Sequence, residues 1–279
     1  MQLKFLVIFF LLATNLFAYE RIIALSPSIN EIIYALGDGK KIVGNTTHCT
    51  YPQEAQSRPK VGGYFSPSLE KILSLKPDMV IMQQSSIKLS QKLQQLGITT
   101  EVLSLKTLND IKKSIEIIGN ILNKKPQAQE ILKTIDRKLQ EIQGIVKNKK
   151  ILMVIGHNLS LEKRIFVAGQ NLYFDDIINI SGNRNAFQSS RVGQPILNME
   201  NIIATNPDIV VLLAPFREDK HLTHEQLINP WLKLPINAKK TNSIYMIDKH
   251  YAGIASNRII YFLEDLKGFL ADARDKKLQ

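Results

Sequence analysis

The sequence predicts an α/β protein of two lobes, each built on a central, mainly parallel sheet. A long rigid helix joins the lobes and a cleft separates them. Three observations predict this. A helix–turn–strand unit occurs twice, 130 residues apart. The strand of each copy is apolar at successive positions, as in strands buried on both faces of a parallel sheet. The stretch between the copies carries a helical apolar stripe and no Gly/Ser linker.

The repeat is explicit. Residues 68–82 read SLEKILSLKPDMVIM and residues 198–212 read NMENIIATNPDIVVL. Glu70 meets Glu200, Ile72 meets Ile202, Pro77 meets Pro207, Asp78 meets Asp208 and Val80 meets Val210. Upstream, Val61-Gly62 is echoed by Val192-Gly193 with one residue of slippage. Leu69, Ile72 and Leu73, like Met199, Ile202 and Ile203, have helical spacing. Proline cannot continue the helix, and the aspartate that follows suits a turn. The runs 79–82 and 209–213 then read as buried strands.

The remaining elements follow in order. In the first lobe, residues 19–107, a strand at 21–25 leads into a helix begun by Ser26-Pro27-Ser28. Ser28 and Glu31 have capping-box spacing. Ile29, Ile32, Ile33 and Leu36 form the helix stripe, and Gly37 ends it. Strands are expected at 41–44 and 100–105, and a helix at 88–96. The connecting segment, 108–147, includes a helix from Pro126 with Ala128, Leu132, Ile135, Leu139 and Ile142 on one stripe. About 21 residues at 1.5 Å each make a rod of roughly 30 Å. In the second lobe, 148–279, strands are expected at 151–155, 165–168 and 243–247, and helices at 172–180 and 257–270.

Residues 1–18 differ from the rest. Lys4, an apolar run at 5–13 and a small residue at Ala18 describe a cleavable signal peptide. The run is shorter than the roughly 20 residues a membrane span needs; an N-terminal anchor is the alternative. The expectation is export to the periplasm with cleavage after Ala18. The single cysteine, Cys49, lies far from that point, so no lipoprotein is expected and no internal disulfide is available.

The body, with 44% hydrophobic and 22% charged residues, has a globular composition. The formal charge is +11, but lysines alternate with acids, and no basic run is interleaved with aromatics. That pattern predicts no nucleic-acid partner. No GxSxG, HExxH, P-loop or dinucleotide fingerprint is present, so neither an enzyme nor a cofactor is expected. A reactive Cys49 would need an activating base, and adjacent His48 is poorly placed to supply one.

The cleft is expected where strand ends of the two lobes face each other. Position in the chain makes Ser26, Ser28, Thr47, His48, Cys49, Tyr51, Tyr64, Phe65 and Gln83 the first-lobe candidates. Gln194, Phe216, His250 and Tyr251 are the second-lobe candidates. Their rings suit a flat macrocycle or catecholate. His48, Cys49, His250 and Tyr251 could each donate to a metal, although no HxH or CxxC spacing supports a metal site. His221 and His224, three apart, are expected as an exposed pair.

Five segments together resemble one family. They are RIIALSPSINEIIYALG, NTTHCTYPQEA, KVGGYFSPSLEKILSLKPDMVI, GQPILNMENIIATNPDIVVLL and IASNRIIYFLEDL. With the connecting helix, they resemble the helical-backbone class of substrate-binding proteins of ABC importers, which take up vitamin B12, haem and iron–siderophore chelates. The resemblance implies two Rossmann-like lobes, a ligand cleft and a monomer that delivers a metal chelate to an importer. It implies that Glu70 and Glu200 dock on the two halves of a permease dimer; alternatively they are first-turn glutamates favoured by the helix dipole. It puts cobalamin or another corrinoid and iron–siderophores first, with haem or a nickel or iron complex as alternatives. Cleft positions that are aromatic in B12-binding members are His48, Gln83 and Gln194 here, while Tyr64 keeps its ring. A permease-bound sensor or adaptor without a tight ligand would keep the same fold.

Overall fold

The computed structural model describes residues 19–162, 164–189 and 194–276. The expected signal segment, 1–18, and the Val192-Gly193 echo lie outside the described residues.

The first lobe alternates strand and helix: β1 (Ile22–Ala24), α1 (Pro27–Ala35), β2 (Ile42–Asn45), α2 (Leu69–Ser74), β3 (Met79–Gln83), α3 (Ile87–Gln95) and β4 (Thr99–Leu103). Its sheet has the order β2-β1-β3-β4, with every pair parallel. Two helices follow, α4 (Leu108–Ile121) and α5 (Lys125–Glu141). The second lobe contains β5 (Lys150–Ile155), β6 (Ile165–Val167), α6 (Tyr173–Ile180), β7 (Arg184–Asn185), β8 (Ile196–Leu197), α7 (Met199–Thr205) and β9 (Ile209–Leu213). It ends with α8 (His224–Leu232), α9 (Asn237–Lys240), β10 (Ile244–Ile247) and α10 (Ile259–Asp275). Its sheet runs β10-β9-β5-β6-β8, with β7 also on β5. Strands β5, β7, β9 and β10 are parallel, while β6 and β8 add an antiparallel margin. Among the described residues no helix is long and apolar enough to cross a membrane.

The two copies of the repeat lie in different sheets, as α2–β3 and α7–β9. Ser68 and Asn198 cap the two helices from the same position of the repeat. The aspartates do more than suit a turn. Asp78 accepts from the backbone N–H groups of Glu20 and Arg21, and its own N–H donates to the Arg21 carbonyl. Asp208 accepts from the Lys150 N–H, and its own N–H donates to the Lys150 carbonyl. Each aspartate therefore ties the start of its lobe's first strand to the start of the neighbouring strand.

Local differences from the sequence reading have identifiable causes. The cap of α1 is Ser26, whose Oγ accepts from the Ile29 N–H at 3.2 Å, with Pro27 at the first helical position. The capping box at Ser28 and Glu31 does not form, because Glu31 is turned inward to another partner. The connecting segment holds the helix expected from Pro126 as α5, and α4 ahead of it packs against it. Gly119 permits their close approach, since a Cβ there would lie 2.6 Å from the Ala128 Cβ. His221 and His224 are both exposed, as expected, with His221 in a left-handed conformation before α8 and His224 at the start of that helix.

Strand alternation explains how two lobes form one body. On one face, Ile22, Ala24, Met79 and Ile81 of the first sheet join a continuous core with α1, α4, α5, α6 and α10. Ile151, Met153, Ile209, Val211 and Leu213 of the second sheet enter the same core. The intervening residues point the other way. Ile23, Leu25, Val80 and Met82 build a core private to the first lobe, and Leu152, Val154, Val210 and Leu212 build one private to the second. Lys138–Glu264 at 2.8 Å and Lys267–Glu141 at 2.9 Å tie α5 to α10 along the shared side.

Candidate functional site

The C-terminal ends of parallel strands are where an open α/β sheet presents loops to a ligand. In the first lobe β2 ends at Asn45 and releases the loop 46–58. Buried polar groups anchor this loop from below. Asn30 Nδ2 donates to the Tyr51 carbonyl, and Asn45 Nδ2 donates to Asn30 Oδ1 and the Ala55 carbonyl. The Lys60 ammonium donates to Asn45 Oδ1 and to the carbonyls of Cys49 and Ala55. Burial holds the Lys60 ammonium below its usual value. The loop thereby presents His48 and Tyr51 on its outer side, both exposed.

Tyr64 and Phe65 sit on the turn before α2. Gly62 makes the turn possible at φ +120, where a Cβ would meet the Ser66 carbonyl oxygen at 2.7 Å. The Tyr64 hydroxyl donates to Gln83 Oε1 at 2.9 Å, at the end of β3, and accepts from Ser85 Oγ. Phe65 meets the Tyr64 ring edge-on with centroids 4.5 Å apart, yet it is 86% exposed.

In the second lobe β9 runs out into Phe216 and β10 into His250, and their rings lie 4.5 Å apart. Phe216 has φ +61, an uncommon conformation for a bulky residue. Arg217 beside it pairs with Asp248 at 2.9 Å, which links the two strand-end loops.

The expected candidates thus gather into recognisable groups. Tyr64, Phe65 and Gln83 cluster, Phe216 pairs with His250, and Tyr51 approaches Tyr251 through Arg258. His48 and Gln194 are exposed without joining these ring clusters, and Thr47 Oγ1 donates to the Gly62 carbonyl. Four of the expected residues need correction. Ser26 is a buried helix cap, and Ser28 is buried beside it. Cys49 is 1% exposed, lies 3.2 Å from Thr46 Oγ1, and has its thiol pushed up by burial, so it offers no thiolate donor. The Tyr251 hydroxyl already donates to Asp265 Oδ2 at 2.6 Å. Among the described residues no three His, Cys, Asp or Glu side chains converge as a metal cage.

Two residues escaped the sequence reading. His157 follows Gly156 at the end of β5, and the backbone of Pro215 and Ala214 hydrogen-bonds to it. Its Nε2 is buried with no hydrogen-bond partner. Position alone could have found it, since Gln83 was selected by the same strand-end logic. Arg258 is the other. It pairs with Glu31 at 3.0 Å and stacks 3.7 Å above the Tyr51 ring centroid, and no local signal joins residues 227 apart.

A model of the periplasmic binding protein family matches residues 22–251. The chain belongs to that family. An uncharacterised ABC transporter substrate-binding lipoprotein of Bacillus subtilis (strain 168), YvrC, is 30% identical over 254 residues, covering 88% of this chain and 78% of the relative. The vitamin B12-binding protein of Vibrio cholerae is 25% identical over 260 residues, covering 92% of this chain and 91% of its own. The solved structure of the periplasmic vitamin B12-binding protein of V. cholerae shares the fold, with a TM-score of 0.77 at 21% identity over 92% of this chain and 98% of that one.

The family membership corrects one expectation. The B. subtilis relative is itself a lipoprotein, so the reading of this chain as a protein without a lipid anchor does not stand.

Proposed function

We propose that the chain is the ligand-capturing component of an ABC importer for a metal chelate, with cobalamin or another corrinoid as cargo. The observation that carries this reading is the placement of aromatic groups on loops of both lobes, with Phe65 and His250 exposed and Tyr64 and Phe216 half-buried beside them. Tyr64 with an 86% exposed Phe65 and Phe216 with His250 offer ring faces and edges to a flat, largely apolar guest. The B12-binding relative from V. cholerae, matched along most of both chains, supports the same cargo class. Binding proceeds without turnover, and the metal travels inside its chelate.

Glu70 and Glu200 support delivery. Both are exposed in the first turn of their helices, at equivalent positions in the two copies of the repeat. An exposed carboxylate alone contributes little to affinity. Two at a fixed separation select a partner with two matching cationic sites, as a permease dimer provides.

Haem is the second reading. His48 favours it, because an exposed imidazole on the loop after β2 is accessible to haem iron.

Titration of purified protein with cyanocobalamin, haemin and a ferric catecholate, followed by ligand absorbance and calorimetry, tests the proposal. Intrinsic fluorescence is a poor reporter, since Trp231 is 1% exposed in the second-lobe core. One-to-one binding of cyanocobalamin with the ligand recovered unchanged is expected. Binding of haemin alone selects the second reading, and failure of all three removes the chelate assignment.

A further inference from the structure

The lobes meet at a buried charge pair that belongs to neither of them alone. Glu31 projects from α1 of the first lobe, and Arg258 precedes α10 of the second. The Arg258 Nη1 donates to Glu31 Oε1 at 3.0 Å, and the Ser256 hydroxyl donates to Glu31 Oε2 at 2.5 Å. The two charged side chains are only 8% and 4% exposed. Burial pushes the Glu31 carboxyl above its ordinary value, against the opposing pull of Ser256 and Arg258. Such a pair adds little net stability over apolar packing, but breaking it strands a charge.

Above the pair lies Tyr51. The guanidinium carbon of Arg258 is 3.7 Å from the Tyr51 ring centroid and 5.5 Å from that of Tyr251. Tyr51 remains 43% exposed, so one ring face rests on Arg258 while surface is left for another contact. The loop bearing Tyr51 is held from inside the first lobe by Asn30, whose Nδ2 donates to the Tyr51 carbonyl at 2.9 Å. Tyr51 is thus gripped through its backbone by one lobe and through its ring by the other.

We infer that Arg258 is the positioning residue for the Tyr51 wall of the cleft: Glu31 and Ser256 orient its guanidinium, and the guanidinium fixes the Tyr51 ring. The inference rests on the reading of the cleft as the ligand site. Segment 254–258 of the second lobe and loop 46–58 of the first therefore behave as one unit. A flat ligand that packs on Tyr51 meets a ring already set in place, and it feels the lobe–lobe junction through that ring. The planar guanidinium can stack and bond at once, which a lysine ammonium cannot reproduce.

Hydrogen exchange in the ligand-free protein, followed by cyanocobalamin titration, tests this with Tyr51→Leu, Tyr51→Phe and Arg258→Lys. Tyr51→Leu changes an exposed side chain and leaves the cores untouched. It should speed exchange of the Ile254 and Ser256 amides in the other lobe by about threefold or more, the weight of a cation–π contact. Those amides donate to the Tyr251 and Ile254 carbonyls, so they report local opening. Tyr51→Phe keeps the ring and should leave exchange as in the wild type. Arg258→Lys should speed exchange at Cys49, Thr50 and Ala55 and weaken cyanocobalamin binding about tenfold, mainly through faster release. If Arg258→Lys does not fold, Tyr51→Leu decides the coupling alone. Changes confined to 46–58 in Tyr51→Leu would overturn the inference. So would unchanged cyanocobalamin affinity in a folded Arg258→Lys protein. If the wild type binds no cyanocobalamin, it is the ligand reading that fails, and the exchange data still decide whether the lobes are coupled here.

Discussion

Phe65 is costly to leave in water, and its exposure is the plainest functional mark on the surface. A fully buried Phe side chain is stabilising by about 1.5–3 kcal/mol relative to an exposed one. Here Tyr64 covers only its edge. Phe65→Ala is therefore expected to leave thermal stability within about 0.5 kcal/mol while lowering cyanocobalamin affinity by about tenfold or more, read by calorimetry. Unchanged affinity would take Phe65 out of the site. His157 gives a second expectation. Burial, and then the charge of Lys220, holds its imidazole below the ordinary value. The unfolded chain then binds the proton more readily than the folded one. The contribution to stability is complete above the unfolded value, near pH 6.5, and is lost as pH falls through the folded value. His157→Gln should flatten the fall in Tm between about pH 7 and pH 5, and an unaltered slope would assign that fall to other groups. A residue's place in the fold was legible wherever a strand-end position was enough, as for Gln83, Phe216 and His250. It was not legible for Arg258, whose importance comes from a partner far away in sequence.

The elements were the most legible layer, and the repeat shows why. Leu69, Ile72, Pro77 and the run after Asp78 carry their own periodicity and stop signals, so local physics suffices to read helix, turn and strand. The role of the aspartate was hidden, because it depends on which strand becomes the neighbour. Asp78 takes two backbone N–H groups at the entry to β1, and Asp208 takes one at the entry to β5 and one from the Asn237 amide. Asp208→Ala should lower the unfolding free energy by about 1–3 kcal/mol, the cost of leaving part-buried donors unmet, and Asp78→Ala by about 0.5–1.5 kcal/mol, because water reaches its exposed donors. The two sites share no partner and lie in different sheets, so the losses should add to within about 0.5 kcal/mol in urea denaturation of the double variant. A strongly sub-additive result would show that the copies are not independent anchors. Helix boundaries follow equally local rules: Pro27 begins α1 one residue after its cap, and Asn123 in a left-handed conformation ends α4 just before the helix expected from Pro126.

At the scale of the whole molecule, a strand-by-strand alternation decides how the lobes can move. Every second residue of β1, β3, β5 and β9 enters the shared core, together with Ile111, Ile115 and Ile118 of α4, Ile135 and Leu139 of α5, and Leu263 and Leu266 of α10. Lobes joined only by flexible strands could open widely, because little apolar surface would be exposed. Here a wide opening would separate packed side chains across α4, α5 and α10, and the buried Glu31–Arg258 pair would separate with them. Small rearrangements at strand-end loops are cheaper, so capture should proceed mainly by loop and side-chain adjustment against a stiff frame. Ile135 lies at the centre of that frame and is fully buried. Ile135→Ala should cost about 2–5 kcal/mol by leaving a cavity. More telling is the form of the transition. Trp231 fluorescence follows the second-lobe core, whereas far-ultraviolet circular dichroism follows both lobes. If the shared core makes the lobes one cooperative unit, the two signals will coincide in urea for the wild type and will shift together in Ile135→Ala. Two separated transitions in the wild type would mean that each lobe stands on its private core, and the stiff frame would then have no physical basis.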